Sequence, residues 1–302
     1  MVKIPPYLEP GDTIAVLCPA GYMSESKAAA CLETFTQWGY RVKIGKTLGG
    51  DSQYYFSAPD QDRLDDFQQM LDDDSIKAIF CARGGYGITR IIDRIKFKQF
   101  KKKPKWIIGF SDVTILHAHI YRNYGVATLH APMASAFNDG GMHSEYVLSL
   151  RHALEGQKIR YQAEPHPFNR RGKAVGELVG GNLCLLSHLV GTDSDLPTKG
   201  RILFLEDVGE YLYNIDRLLY QLKRAGKLEK LAGLVVGGFT ECKDTDRPFG
   251  KEAYEIIRDI FKEYAYPICF GFPVSHGAAN LALKTGLGYK LIVSKTKVSL
   301  TE

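Results

Sequence analysis

The chain has 302 residues, 45% hydrophobic and 24% charged, with a formal net charge of +5. This is the mixture of one large or two ordinary globular domains, and it excludes a disordered or fibrous chain. No apolar run approaches the ~18 residues that a membrane span needs. The N-terminal "MVKIPPYLEPGDTIAVLCPAG", interrupted by two prolines and Glu9, has no signal-peptide pattern. A cytoplasmic chain without a membrane partner is expected.

In chain order, "TIAVL" (13–17) predicts a buried strand, "SKAAACLETFTQWG" (26–39) a helix and "YRVKI" (40–44) a second strand. "APDQDRLDDFQQMLDD" predicts a helix capped by Asp60, with Leu64, Phe67 and Leu71 on one face. "IKAIFC" (76–81) reads as a third strand, and "ARGGYG" (82–87) then leads into a helical "ITRIIDRI". The basic run "KFKQFKKKPK" (96–105) reads as a solvated segment, without the wider basic stripe of a nucleic-acid surface. "KWIIGF" is a fourth strand, "VTILHAHIYRNYG" a helix and "VATLHAP" a fifth strand. Such alternation implies a parallel sheet with helices on both faces.

Around Ala134 the pattern loosens to one short helix candidate between polar stretches, and the division expected is a first domain over 1–135, a linker over 136–172 and a second domain over 173–302. In the last, "AVGELVGGNLCLLSHLVGT" carries strand and helix signals around a glycine pair, and "GRILFLEDVGE" is an apolar strand ending in acids. "YLYNIDRLLYQLKRAG" is a periodic helix with Leu212, Ile215, Leu219 and Leu222 aligned, and "LAGLVVGGF" and "YKLIVSKTKVSL" read as strands. The six cysteines are scattered, with no C-x-x-C pair and no Cys/His cluster at zinc spacing, so no metal is expected, and Cys18, Cys81 and Cys269, in or beside apolar runs, read as buried reduced thiols.

Ser111 stands where the fourth strand turns into a helix. Ligands of open parallel sheets bind beyond such strand ends, and a helix N-terminus offers unpaired N–H groups to an anion. Gly109-Phe110-Ser111-Asp112-Val113 resembles a nucleophile elbow but lacks the second glycine of G-x-S-x-G. Ser111 is thus read two ways, as a helix cap or as a nucleophile. In "ARGGYG", Gly84 and Gly85 are read as a tight turn, as a phosphate loop that matches neither Gly-rich fingerprint, or as an oxyanion donor beside Ser111.

A serine nucleophile needs a base, and the base an orienting acid. Of the eight histidines, His117 and His119 follow Ser111 on its helix and do not easily reach back, and His188 lies among leucines as if in a core. His143, His152 and His166 fall in the loose region, and His130 ends the fifth strand. His276, in the small-residue loop "GFPVSHGAAN", suits a base best. "ILFLEDVGE" offers Glu206, Asp207 and Glu210 as the acid. Glu206 follows four apolar residues, where a carboxylate is costly without a partner. That partner is His276, an arginine or a backbone N–H.

Six stretches in order, "GDTIAVLCPAG", "ARGGYG", "IIGFSDVT", "GELVGGNLCLL", "ILFLEDVGE" and "GFPVSHGAANLALKTG", resemble the L,D-carboxypeptidases, a family of serine peptidases. The resemblance implies an α/β fold: an N-terminal flavodoxin-like parallel sheet domain plus a C-terminal swivelling β/α domain with a barrel-like core. It also implies a triad of Ser111, Glu206 and His276, with no departure at those positions. The oxyanion would be met by the N–H of Asp112 and one from Gly84 or Gly85. Arg83 is read as a carboxylate-binding residue or as one half of a surface ion pair. The substrate implied is a murein tetrapeptide losing its terminal D-alanine in peptidoglycan recycling, without cofactor or metal, by a homodimer. The family also holds peptidases resembling the microcin C immunity protein, which cleave a peptidyl-nucleotide. The short stretch between Gly181 and Gly200 and the lack of a tryptophan after Trp106 favour the murein branch. A non-catalytic ligand-binding module is the rival from another class.

Overall fold

The structure, a computed structural model, describes residues 2–50 and 52–302. It divides into two compact units: the chain up to Gln157 with Leu281–Lys284, and Lys158–Asn280 with Thr285–Glu302.

The first unit runs through β1 (Thr13–Leu17), α1 (Glu25–Gln37), β2 (Arg41–Ile44), α2 (Asp60–Asp72), β3 (Ile76–Cys81), α3 (Lys98–Lys102), β4 (Trp106–Gly109), α4 (Thr114–Tyr124), β5 (Thr128–His130) and α5 (Glu145–Leu154). Its strands lie in the order β2-β1-β3-β4-β5, each pair parallel. This is the flavodoxin-like doubly wound order. β1, β3 and β4 are almost wholly buried, which is why they read as continuous apolar runs. Phe35 of α1 packs edge-on against Phe80 of β3 (5.0 Å between centroids) and against Phe137 (5.6 Å).

Leu64, Phe67 and Leu71 of α2 are buried, as their spacing implied. Asp60 is not its cap: Pro59 occupies the cap position, and the Asp60 carboxylate, in the first turn, instead pairs with Arg63 and Arg90. After "GGYG" the isoleucines at 88, 91, 92 and 95 are buried, but no α-helix forms. The Ile91 backbone (φ −121°) breaks the segment into two short 3-10 turns. The lysines of the basic run are exposed except at its end, while its Phe97 and Phe100 are buried. Lys105 is buried, its Nζ donating to the carbonyls of Met70 (3.2 Å) and Asp73 (2.6 Å) where α2 closes. Burial lowers that ammonium to about 8.

The second unit contains β6 (Arg160–Ala163), β7 (Gly172–Asn182), α6 (Leu183–His188), β8 (Ile202–Val208), α7 (Leu212–Arg224), β9 (Gly233–Thr240), α8 (Ala253–Phe261) and β10 (Ile268–Cys269). β11 (Leu283–Thr285) joins the first sheet beside β5, and β12 (Gly288–Val293) and β13 (Val298–Thr301) complete the second. That sheet has the order β10-β9-β8-β7-β12-β13-β6, parallel from β10 to β7 and antiparallel beyond. Leu212, Ile215, Leu219 and Leu222 of α7 are buried together. The stretch 136–172, read as a linker, holds α5 and β6, and the division between units falls at 157/158. All six cysteines are free thiols. Among the described residues no helix is long and apolar enough to cross a membrane.

Candidate active site

Ser111 has φ +63°, one of three non-glycine residues described with positive φ. This left-handed conformation costs an L-residue roughly 1–2 kcal/mol, and such strain gathers at functional sites. The turn comes from the residues around it. Gly109 ends β4 at φ +148°, and a Cβ there would lie 2.9 Å from Cγ2 of Val113 and 3.3 Å from Cβ of Cys81. One glycine therefore suffices: with no side chain at 109, Val113 occupies the place where the elbow pattern has its second glycine. Ser111 opens a 3-10 turn (Ser111–Val113) that runs into α4, and neither helix start carries a side-chain cap bond. The serine is not acting as a cap.

The loop after β3 lies against this serine. A Cβ on Gly84 would sit 2.8 Å from Cβ and 3.0 Å from Oγ of Ser111, so only glycine permits the approach. Among the described residues, no backbone acceptor takes the N–H of Gly84, Gly85 or Asp112. Arg83, on the same loop, is exposed and makes no ion pair with a described residue.

In the second unit Glu206 and His276 meet, Nδ1 of the imidazole 2.6 Å from Oε2 of the carboxyl. Glu206 is fully buried, and its Oε1 has no partner among the described residues. The approach depends on a β-bulge. Leu205 pairs with Val236 and Asp207 with Phe239, so Glu206 alone faces Gly237 and Gly238 of β9. Both glycines make room for the segment leading to His276. A Cβ on Gly237 would fall 2.2 Å from the carbonyl oxygen of Val274, and one on Gly238 2.5 Å from Cβ of Ser275. Ser275 then fixes the loop: its Oγ donates to the carbonyl of Ala279 (2.9 Å) and accepts from the N–H of Gly277 (3.0 Å). A carboxylate can only accept, so in this bond Nδ1 is the donating nitrogen and Nε2 is the one left for other partners.

The LD-carboxypeptidase N-terminal domain matches residues 14–131 and the LD-carboxypeptidase C-terminal domain residues 175–291. The chain belongs to the LD-carboxypeptidase family. It is 37% identical over 287 residues to the probable murein peptide carboxypeptidase of Bacillus subtilis, covering 93% of this chain and 89% of that one. The structure of the muramoyltetrapeptide carboxypeptidase of Oxalobacter formigenes is similar at a TM-score of 0.85 and 26% identity, over 96% of this chain and 98% of the other. The microcin C7 self-immunity protein of Escherichia coli is 24% identical over 330 residues, covering 97% of this chain and 94% of its own. Its solved structures share the fold at a TM-score of 0.85. The chain is accordingly an enzyme, a carboxypeptidase of a serine peptidase family.

Other titratable residues of this carboxypeptidase support the site from behind or lie elsewhere. His117 does reach back from α4: its Nε2–H donates to the carbonyl of Gly109 at 2.8 Å, bracing the elbow. Burial lowers its pKa to about 4, so the ring is neutral. His130 is buried beside Phe110, 5.6 Å between ring centroids. His188, read as a core residue, is exposed and its Nδ1 donates to the carbonyl of Cys184 at 2.7 Å, because α6 buries Leu183 and Leu186 on its other side. Asp207 turns away from Glu206 to the start of α6, accepting from Nδ2 of Asn182 (2.7 Å) and the N–H of Cys184 (2.9 Å). Glu210 accepts from Nδ2 of Asn214. Among the described residues no three His, Cys, Asp or Glu side chains converge as a metal site. Sequence reasoning missed the parts played by the side chains of Asp112, Arg63 and His117 and by the Gly237–Gly238 pair. Only the last had a visible signal, two adjacent glycines inside a strand.

Proposed function

We propose that the enzyme is a serine L,D-carboxypeptidase that releases the terminal D-alanine of murein tetrapeptides through an acyl-enzyme, in peptidoglycan recycling. The observation that carries this reading is the strained Ser111 elbow, packed against a loop in which the N–H groups of Gly84 and Gly85 have no backbone acceptor among the described residues. The buried Glu206–His276 pair and the murein peptidases among the relatives support it.

In this mechanism Oγ of Ser111 attacks the carbonyl carbon of the last peptide bond and its proton passes to Nε2 of His276. Glu206 holds the ring's tautomer and offsets the imidazolium charge. The N–H of Asp112 and one from Gly84 or Gly85 receive the developing oxyanion. His276 returns the proton to the departing amine, D-alanine leaves, and a water activated by the same histidine hydrolyses the ester. Arg83, exposed and without an ion pair among the described residues, is the candidate for the substrate's terminal carboxylate.

The test is D-alanine release from a purified murein tetrapeptide by wild type and Ser111→Ala. Loss of the serine should lower turnover by a factor on the order of 10⁶. Equal rates would reject the nucleophile. The likeness to the microcin C7 self-immunity protein, solved with aspartyl sulfamoyl adenosine, keeps peptidyl-nucleotide cleavage as the second reading. That compound belongs in the same assay, and its preferential hydrolysis would favour the second reading.

A further inference from the structure

The loop that carries Gly84 and Gly85 is held by two buried side chains of opposite charge. Arg63 on α2 is wholly buried, and its Nη1 donates to the carbonyl of Gly87 at 3.0 Å and to that of Pro19 at 2.6 Å. Its Nε donates to the carbonyl of Ala58 at 3.1 Å, and its Nη2 meets Asp60 at 2.5 Å. Asp112 is 1% exposed, and its Oδ2 accepts the N–H of Ile88 at 2.8 Å. The carbonyl of Gly87 and the N–H of Ile88 belong to the same planar peptide unit. The guanidinium therefore grips the negative end of one amide dipole and the carboxylate its positive end. Both bonds are charge-assisted, the stronger kind.

Residue 87 must be glycine for this clamp to close. Its φ is +151°, and a Cβ there would meet Nη1 of Arg63 at 2.7 Å. The other end of the loop is fixed separately, by the N–H of Gly21 donating to the carbonyl of Gly84 at 2.9 Å. Between these two anchors Gly84 presses on Ser111. Asp112 is also the residue after the nucleophile. Its backbone N–H is one candidate oxyanion donor, and its side chain holds the loop bearing the others. The cost of keeping this carboxylate is plain: its Oδ1 is buried with no partner among the described residues, and burial pushes its pKa up to about 6.

We propose that Asp112 and Arg63 are positioning residues, which set the Gly84–Gly85 backbone against Ser111 by clamping the Gly87–Ile88 peptide between them. This rests on the reading of Ser111 as the nucleophile. The two readings are separated by including Ser111→Ala, whose full activity would reject the nucleophile whatever the clamp variants do.

The experiment measures kcat and KM for D-alanine release, with thermal melts, for Asp112→Ala, Asp112→Asn and Arg63→Lys. Misplacing one oxyanion donor should cost Asp112→Ala about 100-fold in kcat with KM changed by less than about threefold. Asp112→Asn keeps an oxygen for the N–H of Ile88 and should recover to within roughly tenfold of wild type. Arg63→Lys keeps the charge but loses the fork, and should lower kcat about tenfold at unchanged KM. A merely structural role would lower the melting temperature and leave kcat per folded enzyme intact. A folded Asp112→Ala with wild-type kcat, or an Asp112→Asn no better than it, would overturn the proposal. Should Asp112→Ala fail to melt cooperatively, Arg63→Lys decides: loss of kcat at constant KM supports the clamp, and wild-type kcat overturns it.

Discussion

His276 and Glu206, 70 residues apart in the chain, are joined by a 2.6 Å hydrogen bond from Nδ1 to a carboxyl with no exposed surface. The bond fixes which ring nitrogen bears the proton. Glu206→Gln keeps the volume but offers an amide N–H toward Nδ1, which favours the opposite tautomer and removes the basic lone pair from Nε2. The expected loss is on the order of 10⁴-fold in kcat, with KM little changed. Steady-state D-alanine release measures it, and a loss below about tenfold would mean that Glu206 does not orient the base.

The backbone of Ser111 yields a prediction independent of turnover. Its φ of +63° suits glycine and strains any side chain with a Cβ. Ser111→Gly and Ser111→Ala should both be inactive, but the glycine variant should be the more stable by about 1 kcal/mol. Urea unfolding of the two proteins compares them directly. Equal stabilities would show that the elbow is unstrained.

The legible parts of the sequence were those with local causes. Parallel strands buried on both faces left continuous apolar runs, so "IKAIFC" marked β3 to the residue. Ser111, Glu206 and His276 stood out because polar side chains at strand ends and in tight loops contrast with their surroundings. Within the stretch read as linker, α5 showed as one short helix candidate because it buries Val147, Leu150 and Leu154, whereas β6 has no buried residue and left no signal. The contacts made by the Asp112 carboxylate and by Arg63 were invisible for a different reason. Each acts on backbone 24 residues away, and a buried charge that pairs with distant peptide groups leaves no spacing to read. His188 misled because leucines flank it on both sides, while the helix phase that exposes it emerges only once α6 packs.

The bulge opposite Glu206 should be intolerant of any side chain at Gly237. The added Cβ of Gly237→Ala would stand 2.2 Å from a backbone oxygen and 3.3 Å from Cβ of Glu206. A backbone oxygen cannot swing aside as a side chain can, so the strand or the segment before His276 must move. Overpacking of this kind costs about 1–3 kcal/mol, and a displacement near 1 Å at a catalytic group can cost about 100-fold in rate. Both melting temperature and kcat should fall, whereas Gly288→Ala, where a Cβ meets nothing within 4 Å, should melt and turn over nearly as wild type. A Gly237→Ala protein with wild-type kcat would show that the bulge does not set the position of His276.

Asp207 makes stability depend on pH in a direction that can be worked out. Burial foremost, and then the charge of Glu206, raise its pKa from 3.8 to about 7 against the opposing hydrogen bonds from Val208, Asn182 and Cys184. Between pH ~4 and ~7 the folded protein therefore holds a proton that the unfolded chain has released. The stabilisation from that proton is complete below the unfolded pKa, declines as pH rises through the window, and is gone above about 7. Asp207→Asn cannot titrate. It loses an acceptor for the N–H of Cys184, a penalty independent of pH, while Asp112 and His117 titrate alike in both proteins. The stability of Asp207→Asn relative to wild type should thus improve as pH is raised from 4 to 8, by a few kcal/mol at ~1.4 kcal/mol per pKa unit. Denaturant unfolding at several pH values gives the difference, and a flat difference would mean that Asp207 is ionised throughout.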